Sequence, residues 1–431
     1  MRSPLGFIFL LLIQGCLQCA INEDQKPLET YLLNKMAQSA MAPEALPNPN
    51  VLLALRLAQD HSLNIERKLL KRLSDDAIDR MKNGKDFSSG QVALYALAHQ
   101  ASCSNPRRVS DEYFVLDLVR LLEQKFDMEM TNINNNNNPL TNYYQLGLSV
   151  LALCQLQGTF SPTQIADLFS PDEKKYYLSG QFSVDTAALA ILAQICVQNT
   201  MDDATLVKEN RTISANVQWL LKKMLEHKSN SGIIGNMYST GEAMQALVVA
   251  DKYLAPGSWN CTQTLATVLS EIPKGTFDNP MAAAQLLPSL GGRTYFDINS
   301  FNCSKDEDDH YIHFAFQQTT PLVSQHSITV MYMVTDSYSN RFSESTTVTV
   351  PEGSVFFRVM EAAQEKDPKR FRFTYKQSNW GPYITSVQDL REDSNKRTYW
   401  QLLSGKIPLS KGAGEYVVSD GENLMVKFTT Y

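Results

Sequence analysis

Short apolar segments recur along the first two thirds of the chain and determine the predicted architecture. Six segments are rich in Ala and Leu and follow one another about every 40 to 55 residues. Most open with Ser, Thr or Asn, which are preferred at helix N-termini. They predict buried helices, because a helix that is apolar on every side needs neighbours all round. The six segments are 49–58, 89–98, 141–154, 183–196, 239–250 and 279–288.

More polar, amphipathic segments lie between these predicted buried helices. Each can place one apolar face against an inner helix and leave the other face in solvent, so we expect them to form an outer layer. Six inner helices alternating with outer helices predict an α/α toroid, an (α/α)6 barrel over residues 20–303. An irregular helical domain or a solenoid is the alternative that periodicity alone leaves open. The amphipathic segments are 62–82, 110–126, 162–176, 213–228 and 261–273.

The sequence pattern changes after Cys303. Residues 304–325 are polar and poorly periodic, which is typical of a linker. From residue 326 onward, short alternating runs of β-branched and aromatic residues predict strands, with one helix near 355–366. We therefore predict an α+β protein of two domains, in which the helical barrel precedes a small β-rich domain at 326–431.

The N-terminus has the pattern of a secretory signal. Arg2 precedes an apolar run at 5–13 that is too short for a comfortable membrane span. Small and polar residues follow from Gly15, so we place the signal peptide at 1–19, with cleavage somewhere in 15–20. No later segment approaches the ~20 apolar residues of a spanning helix. We expect a secreted chain without membrane insertion.

Cysteine usage agrees with an oxidising compartment. The loss of Cys16 with the signal would leave six cysteines, enough for three disulfides but with 15 possible pairings. These six are Cys19, Cys103, Cys154, Cys196, Cys261 and Cys303. Three Asn-x-Ser/Thr sequons, at Asn210, Asn260 and Asn302, predict N-glycosylation.

Composition narrows the possible partners. Hydrophobic residues make up 43% of the 431 residues, which is enough for a core and argues against global disorder. The net charge of −6 argues against sequence-independent nucleic-acid binding, which needs an excess of Lys and Arg. The acidic run at 306–313, which contains His310 and His313, is expected to be a solvated charge run rather than a cation site.

Polar side chains near the starts of the inner helices form the candidate site. In a toroid the N-termini of parallel inner helices open on one face, so these side chains should surround one mouth. Neutral amides and hydroxyls around a single carboxylate suit a large ligand with many amide groups, since each buried polar group needs a partner. The residues are Gln91, Thr141, Gln145, Asp185, Asn236, Ser239 and Gln285.

Two other functional classes also fit this sequence pattern. A secreted (α/α)6 hydrolase that cleaves glycosides would need two facing carboxylates, and only Asp185 is well placed. The helical phase of Glu242 does not fix the direction of its side chain. An interaction module without a small ligand would instead have a filled, dry barrel centre. Neither a Gly-x-Ser-x-Gly elbow nor a P-loop occurs in the sequence.

Over essentially its full length the chain resembles the vertebrate cobalamin transport proteins, the family of intrinsic factor, haptocorrin and transcobalamin. The resemblance rests on several motifs that are specific together and weak singly. They are Gly-Gln-Val-Ala-Leu at 90–94, Tyr-Tyr-Gln-Leu-Gly-Leu at 143–148, Leu-Ala-Leu-Cys at 151–154, Ser-Val-Asp-Thr-Ala at 183–187, Gly-Ile-Ile-Gly-Asn-Met-Tyr-Ser-Thr-Gly at 232–241, Asn-Pro-Met at 279–281, Gln-Leu-Leu-Pro-Ser-Leu at 285–290, Trp-Gly at 380–381 and Tyr-Trp-Gln-Leu-Leu at 399–403.

The resemblance implies a fold, a cargo and a set of contact residues. It implies an (α/α)6 barrel and a small β-domain that enclose a corrinoid between them. It also implies a monomeric secreted carrier, not an enzyme, which binds cobalamin as cargo and is taken up by an endocytic cell-surface receptor. The implied barrel contacts are Gln91, Thr141, Tyr144, Gln145, Asp185, Asn236, Ser239 and Gln285. The implied β-domain contacts are Tyr383, Ile384, Thr385, Trp400, Gln401 and Leu402. The implied disulfides are Cys19–Cys261, Cys103–Cys303 and Cys154–Cys196.

One loop departs from part of this family. Transcobalamin places a cobalt-ligating histidine just before the Ser-Val-Asp-Thr-Ala motif, whereas residues 175–182 of this chain contain no histidine. The cobalt is therefore expected to keep water or its own upper ligand. At this loop the chain is more similar to the intrinsic-factor and haptocorrin type.

Overall fold

The computed structural model divides the chain into two compact units. It describes residues 19–42, 46–178, 181–201, 207–308, 327–378, 381–409, 411–414 and 416–430. Residues 1–18 of the predicted signal peptide and most of the predicted linker therefore lie outside the described residues. The first unit contains the described residues of Met1–Phe126, Tyr143–Tyr176 and Ser183–His313. The second contains those of Asp127–Asn142, Tyr177–Phe182 and Phe314–Tyr431.

Helices dominate the described part of the chain up to residue 308. Their bounds are α1 Lys26–Met41, α2 Pro49–Leu57, α3 Leu63–Lys82, α4 Ser89–Ala101, α5 Leu118–Asn136, α6 Tyr143–Gln155, α7 Pro162–Leu168, α8 Glu173–Tyr176, α9 Val184–Thr200, α10 Val207–Glu226, α11 Ser239–Val249, α12 Cys261–Glu271 and α13 Pro280–Leu290. Two short hairpins accompany them, β1 Val109–Ser110 with β2 Val115–Leu116, and β3 Tyr177–Leu178 with β4 Gln181–Phe182. None of the described helices has both the length and the apolar character to cross a membrane.

Six of these helices close into an inner ring. Helices α2, α4, α6, α9, α11 and α13 pack in that order, each against the next, and α13 packs against α2. Outer helices pack against this ring, α1 on α13, α3 on α2 and α10 on α9. The six inner helices are the six apolar segments of the sequence, so the prediction of an α/α toroid is confirmed.

Small residues allow the inner helices to approach closely. A Cβ atom at Gly241 in α11 would lie 2.5 Å from the carbonyl oxygen of Gln285 in α13. A Cβ atom at Gly147 in α6 would lie 2.8 Å from the Cβ of Leu189 in α9. Only glycine fits at these two contacts, because real Cβ atoms do not come so near to neighbouring heavy atoms. The inner ring therefore depends on backbone-to-backbone packing.

The N-terminal ends of inner helices meet at one end of the ring. At this end the Nδ2 of Asn48, the N-cap of α2, lies 3.3 Å from the sulfur of Met281 in the first turn of α13. The backbone N–H of Gly90 in α4 donates to Oε1 of Gln145 in α6 (3.2 Å). Ser239 of α11 donates from its hydroxyl to Oδ2 of Asp185 in α9 (3.0 Å). The parallel arrangement assumed for the predicted mouth is thus present.

Three disulfides connect parts of the chain that are far apart in sequence. They join Cys19 to Cys261, Cys103 to Cys303 and Cys154 to Cys196. These are the three pairs that the family resemblance implies. The first pair needs Cys19 in the mature chain, so the boundary of the predicted signal peptide at residue 19 is wrong by at least one residue. Cys154 and Cys196 cross-link the consecutive inner helices α6 and α9.

A buried arginine holds the segment that follows Cys303. The Arg56 side chain is 3% exposed and donates to Oε2 of Glu66 (2.6 Å) and Oδ2 of Asp306 (2.7 Å). Nearby, Asp308 accepts a hydrogen bond from the backbone N–H of Leu63, at the start of α3 (2.9 Å). The expectation of a solvated charge run is therefore wrong at Asp306, because this carboxylate neutralises a buried cation.

The second unit is built mainly from strands and one helix. The elements are β5 Ser327–Asp336, β6 Ser343–Pro351, α14 Phe356–Lys366, β7 Phe373–Ser378, β8 Gly381–Val387, β9 Leu390–Arg391, β10 Thr398–Ser404, β11 Ile407–Pro408 and β12 Asn423–Thr430. One sheet has the order β11-β10-β12-β5-β6, antiparallel except for the parallel pair β12 and β5, and a second has the order β7-β8-β9. Helix α14 packs on β5 and β6, with Tyr332, Phe356 and Phe371 in the core.

Glu29, a buried glutamate in α1, should make the stability of the fold depend on pH. Its side chain is in contact with solvent over only 1% of its area, and burial, with a smaller contribution from Asp60, raises the pKa of its carboxyl to about 7. A carboxyl whose pKa is raised on folding stabilises the fold fully below its unfolded pKa, here 4.5. This stabilisation is lost as the pH rises from the unfolded pKa to the folded pKa. Glu29→Gln should therefore gain about 2.5 kcal/mol in free energy of unfolding relative to the wild type between pH 5 and pH 8.

Thermal unfolding at both pH values, with the disulfides intact, measures this difference. The exposed Glu23 serves as the control, and Glu23→Gln should unfold like the wild type at both pH values. An unchanged difference between wild type and Glu29→Gln across this pH range would contradict the prediction.

Candidate functional site

Asp185 and Ser239 form one hydrogen-bonded pair at the N-terminal end of the ring. Asp185 is the second residue of α9, and its Oδ2 accepts the Ser239 hydroxyl. Its Oδ1 is buried and has no partner among the described residues. Burial raises the pKa of this carboxyl to about 6, against the opposing effect of the Ser239 hydrogen bond. Oδ1 of Asp185 is thus a buried hydrogen-bond acceptor that a ligand can use.

A second carboxyl group, Glu242, lies inside the ring near Asp185. It occupies the first turn of α11 and is 0% exposed. Its Oε1 accepts hydrogen bonds from the Tyr144 hydroxyl of α6 (2.8 Å) and from Nε2 of Gln285 of α13 (3.0 Å). Its Oε2 has no partner among the described residues. Burial, and next the charge of Asp185, hold the pKa of Glu242 well above its usual range.

This cluster contains two carboxyl groups and no cation among the described residues. Neither Asp185 nor Glu242 takes part in an ion pair in the described part of the chain. The described residues also contain no group of three or more metal-ligating side chains. Buried acceptor oxygens without a cation favour a neutral ligand that donates hydrogen bonds, such as one with amide N–H groups.

Two of the predicted glutamines help to shape the helix starts. Oε1 of Gln91 accepts from the backbone N–H of Ser88, completing a capping box at the start of α4. Oε1 of Gln145 accepts from the backbone N–H of Gly90. Both amides are half-buried, and both lie at the N-terminal end of the ring. The hydrogen bonds that the two Oε1 atoms accept hold the Gln91 and Gln145 side chains in place at this end of the ring.

Two further predicted residues are fixed by local hydrogen bonds. Asn236 is exposed, and its Oδ1 accepts from the backbone N–H groups of Tyr238 and Ser239, just before α11. Thr141 belongs to the second unit, where its hydroxyl donates to Oε1 of Glu129 (2.6 Å) and its backbone N–H donates to Oε2 (3.1 Å). Its predicted place among the mouth residues stays a prediction.

The predicted residues of the β-rich unit differ in exposure. Tyr383 is 43% exposed and donates its hydroxyl to Glu392. Gln401 and Leu402 are half-buried. In contrast, Trp400 is 4% exposed and donates from its indole N–H to the carbonyl of Leu390 (3.2 Å). The role of Tyr383, Gln401, Leu402 and Trp400 as cargo contacts stays a prediction.

Ile384 and Thr385 lie with Trp400 inside the β-rich unit. Ile384 is 3% exposed and belongs to the hydrophobic core, and the Thr385 hydroxyl is hydrogen-bonded to that of Thr374 (2.8 Å). Their role as cargo contacts stays a prediction of the family resemblance.

Glu242 is the residue whose role the sequence did not reveal. A lone charged residue in the first turn of an otherwise apolar helix is a signal of unusual surroundings, since carboxylates are rarely buried completely. The helical phase could not show its direction, because its hydrogen-bonding partners lie 98 and 43 residues away along the chain.

Comparisons with known proteins show the family to which this chain is similar. The model of the eukaryotic cobalamin-binding protein family matches residues 1–324, and a domain of unknown function matches residues 353–430. Human transcobalamin-1 is 42% identical to this chain, over 97% of this chain and 95% of its own length. Human cobalamin binding intrinsic factor is 32% identical, over 96% and 94%.

A solved structure extends the similarity to the fold. The crystal structure of haptocorrin in complex with Cbi aligns with a TM-score of 0.80 and 38% sequence identity, over 96% of this chain and 99% of that chain. The sequence matches and the fold cover both the helical ring and the β-rich unit. The chain belongs to the family of eukaryotic cobalamin-binding proteins.

Proposed function

We propose that this protein is a carrier that binds cobalamin as cargo, with the N-terminal end of the inner ring as the principal contact surface. The observation that carries the proposal is the set of uncharged amides and buried carboxyl oxygens gathered at that end. Family membership and the haptocorrin fold support the identity of the cargo.

The chemistry of the ring end suits a corrinoid. A corrinoid bears several amide side chains around a wide, flat ring, and each amide N–H needs an acceptor when it leaves water. Oδ1 of Asp185 is buried and has no partner among the described residues, so it can accept a hydrogen bond from such an amide N–H. Gln91, Gln145 and Asn236 add amide groups that can both donate and accept. The two carboxyl groups, with no cation beside them in the described part of the chain, disfavour an anionic ligand.

A hydrolase fits these residues less well. Asp185 and Glu242 supply the two carboxyl groups that the alternative function requires, but the Glu242 side chain is 0% exposed and is bonded to Tyr144 and Gln285. A general acid must come within hydrogen-bond reach of the bond that it protonates. We therefore take the protein to be a carrier and not an enzyme.

Secretion, monomeric state and uptake complete the proposal. The apolar N-terminal run and three disulfides are consistent with an extracellular route. Enclosure of the cargo by both domains and capture by an endocytic receptor stay predictions of the family resemblance.

The binding itself can be tested by titration. The purified protein, stripped of ligand under denaturant and refolded, should bind aquocobalamin with saturation near one equivalent. Asp185→Ala should raise the dissociation constant at least about tenfold, because it removes an acceptor for a buried donor. Asp75→Ala, which changes an exposed aspartate in α3, is the control and should bind like the wild type. A folded wild-type protein that binds no aquocobalamin would refute the carrier function.

The visible spectrum of the bound aquocobalamin tests the upper cobalt ligand. Residues 175–182 contain no histidine, so the bound spectrum should stay close to that of free aquocobalamin. A shift typical of nitrogen ligation would show that the protein supplies a ligand after all.

The three sequons should differ in glycan occupancy. Asn260 and Asn302 are exposed, whereas Asn210 is half-buried and its Oδ1 accepts from Nε2 of Gln198 (2.6 Å). A glycan needs a side chain that points into solvent, so Asn260 and Asn302 should be occupied more fully than Asn210 in the secreted protein. Mass spectrometry after enzymatic deglycosylation, which converts an occupied Asn to Asp, measures this. Full occupancy at Asn210 with empty Asn260 and Asn302 would contradict the prediction.

A further inference from the structure

We propose that Glu242 is a positioning residue, which holds two cargo-facing side chains of the ring, Tyr144 and Gln285, in the orientation that binds cobalamin. The proposal rests on the proposed carrier function and assigns a role to a residue that the family resemblance does not include among the cargo contacts.

Glu242 lies where side chains from two other inner helices converge. Its Oε1 accepts from Tyr144 on α6 and from Gln285 on α13, while the residue itself belongs to α11. Helices α11 and α13 are neighbours, but α9 lies between α6 and α11 in the ring order. One oxygen atom therefore connects three inner helices, and one of its two hydrogen bonds spans the interior of the ring.

The side chains of Glu242, Gln285 and Tyr144 differ in their exposure to solvent. Glu242 is 0% exposed, Gln285 is 5% exposed and Tyr144 is half-buried. A ligand at this end of the ring can reach Tyr144 and Gln285 more easily than Glu242. Glu242 thus acts on the cargo through its two neighbours, which it fixes from within the ring.

The carboxyl group of Glu242 is poorly explained as a contribution to the stability of the fold. Its Oε2 is buried without a partner among the described residues, and no cation there compensates it. A buried polar atom without a partner costs free energy, and an apolar residue of similar size commonly serves stability better. The titratable groups that face it, Asp185, Tyr144 and Tyr295, are also not cationic.

A carboxyl in this setting favours its neutral form. Burial and the neighbouring Asp185 both raise the pKa of Glu242. Orientation of Tyr144 and Gln285 then needs an acceptor oxygen at this position rather than a negative charge. Glutamine supplies that oxygen with the same shape, whereas leucine does not.

The test compares dissociation of cargo with stability of the empty protein. Radiolabelled cyanocobalamin is bound to the full-length secreted protein and chased with an excess of unlabelled cyanocobalamin, and thermal unfolding is measured without cargo. Glu242→Leu should release the label about tenfold faster than the wild type, while its melting temperature should fall no more than that of the control variant Glu29→Leu. Glu242→Gln should release it within about twofold of the wild-type rate.

Glu29 provides a matched control. Glu29 is also a buried glutamate, 1% exposed, and one of its carboxyl oxygens has no partner among the described residues. However, its carboxyl lies beside Gly291, just past the C-terminal end of α13. Glu29→Leu should leave the release rate unchanged. Equal losses of melting temperature and of retention in Glu29→Leu and Glu242→Leu would reveal a merely structural role and overturn the proposal.

A double-mutant cycle tests the route of the effect. If Glu242 acts through Tyr144, Glu242→Leu should accelerate release less in a Tyr144→Phe background than in the wild type. Wild-type release from Glu242→Leu, or release from Glu242→Gln as fast as from Glu242→Leu, would also overturn the proposal. A folded wild type that binds no cyanocobalamin would instead refute the carrier function on which the proposal rests.

Discussion

The close approach of the six inner helices is the constraint on which the rest of the first unit depends. Gly147 and Gly241 lie where any Cβ atom would collide with the next helix, so the ring can close only with small residues at these contacts. Closure in parallel then gathers the N-terminal ends of inner helices at one end. The polar residues that the sequence places at those helix starts therefore converge, although they come from segments about 40 to 55 residues apart.

Convergence of helix starts also explains the electrostatics of this end. Asp185 and Glu242 lie in first turns, where exposed backbone N–H groups and the helix dipole favour a nearby negative charge. Burial opposes ionisation, and it is the largest cause of the raised pKa of each carboxyl. The result is a pair of acceptors with no cation beside them among the residues that the structure describes. This arrangement costs stability and suits a neutral cargo with many N–H donors, which is how a carrier can hold a corrinoid without performing chemistry on it.

The sequence predicts the helical ring better than it predicts individual contacts. Apolar segments with polar starts specify six inner helices, because their pattern follows from burial of every side. Long-range partners carry no such local signal. Asp306 lies in an acidic run that is typical of a solvated surface, yet it pairs with the buried Arg56, which is 250 residues away. The surroundings of Glu242 also have no local signal, because its hydrogen-bonding partners lie 98 and 43 residues away along the chain. The burial of Trp400 in the β-rich unit likewise depends on the packing of strands that are distant in sequence.

Hydrogen–deuterium exchange with and without cyanocobalamin shows whether cargo binds at the N-terminal end of the ring. The loops that lead into α4 and α11, residues 83–88 and 232–238, should exchange more slowly in the complex. The loops at the opposite end, residues 58–62 and 102–108, should exchange at the same rate with and without cargo. Slowing confined to 58–62 and 102–108 would place the cargo at the wrong end of the ring and contradict the account.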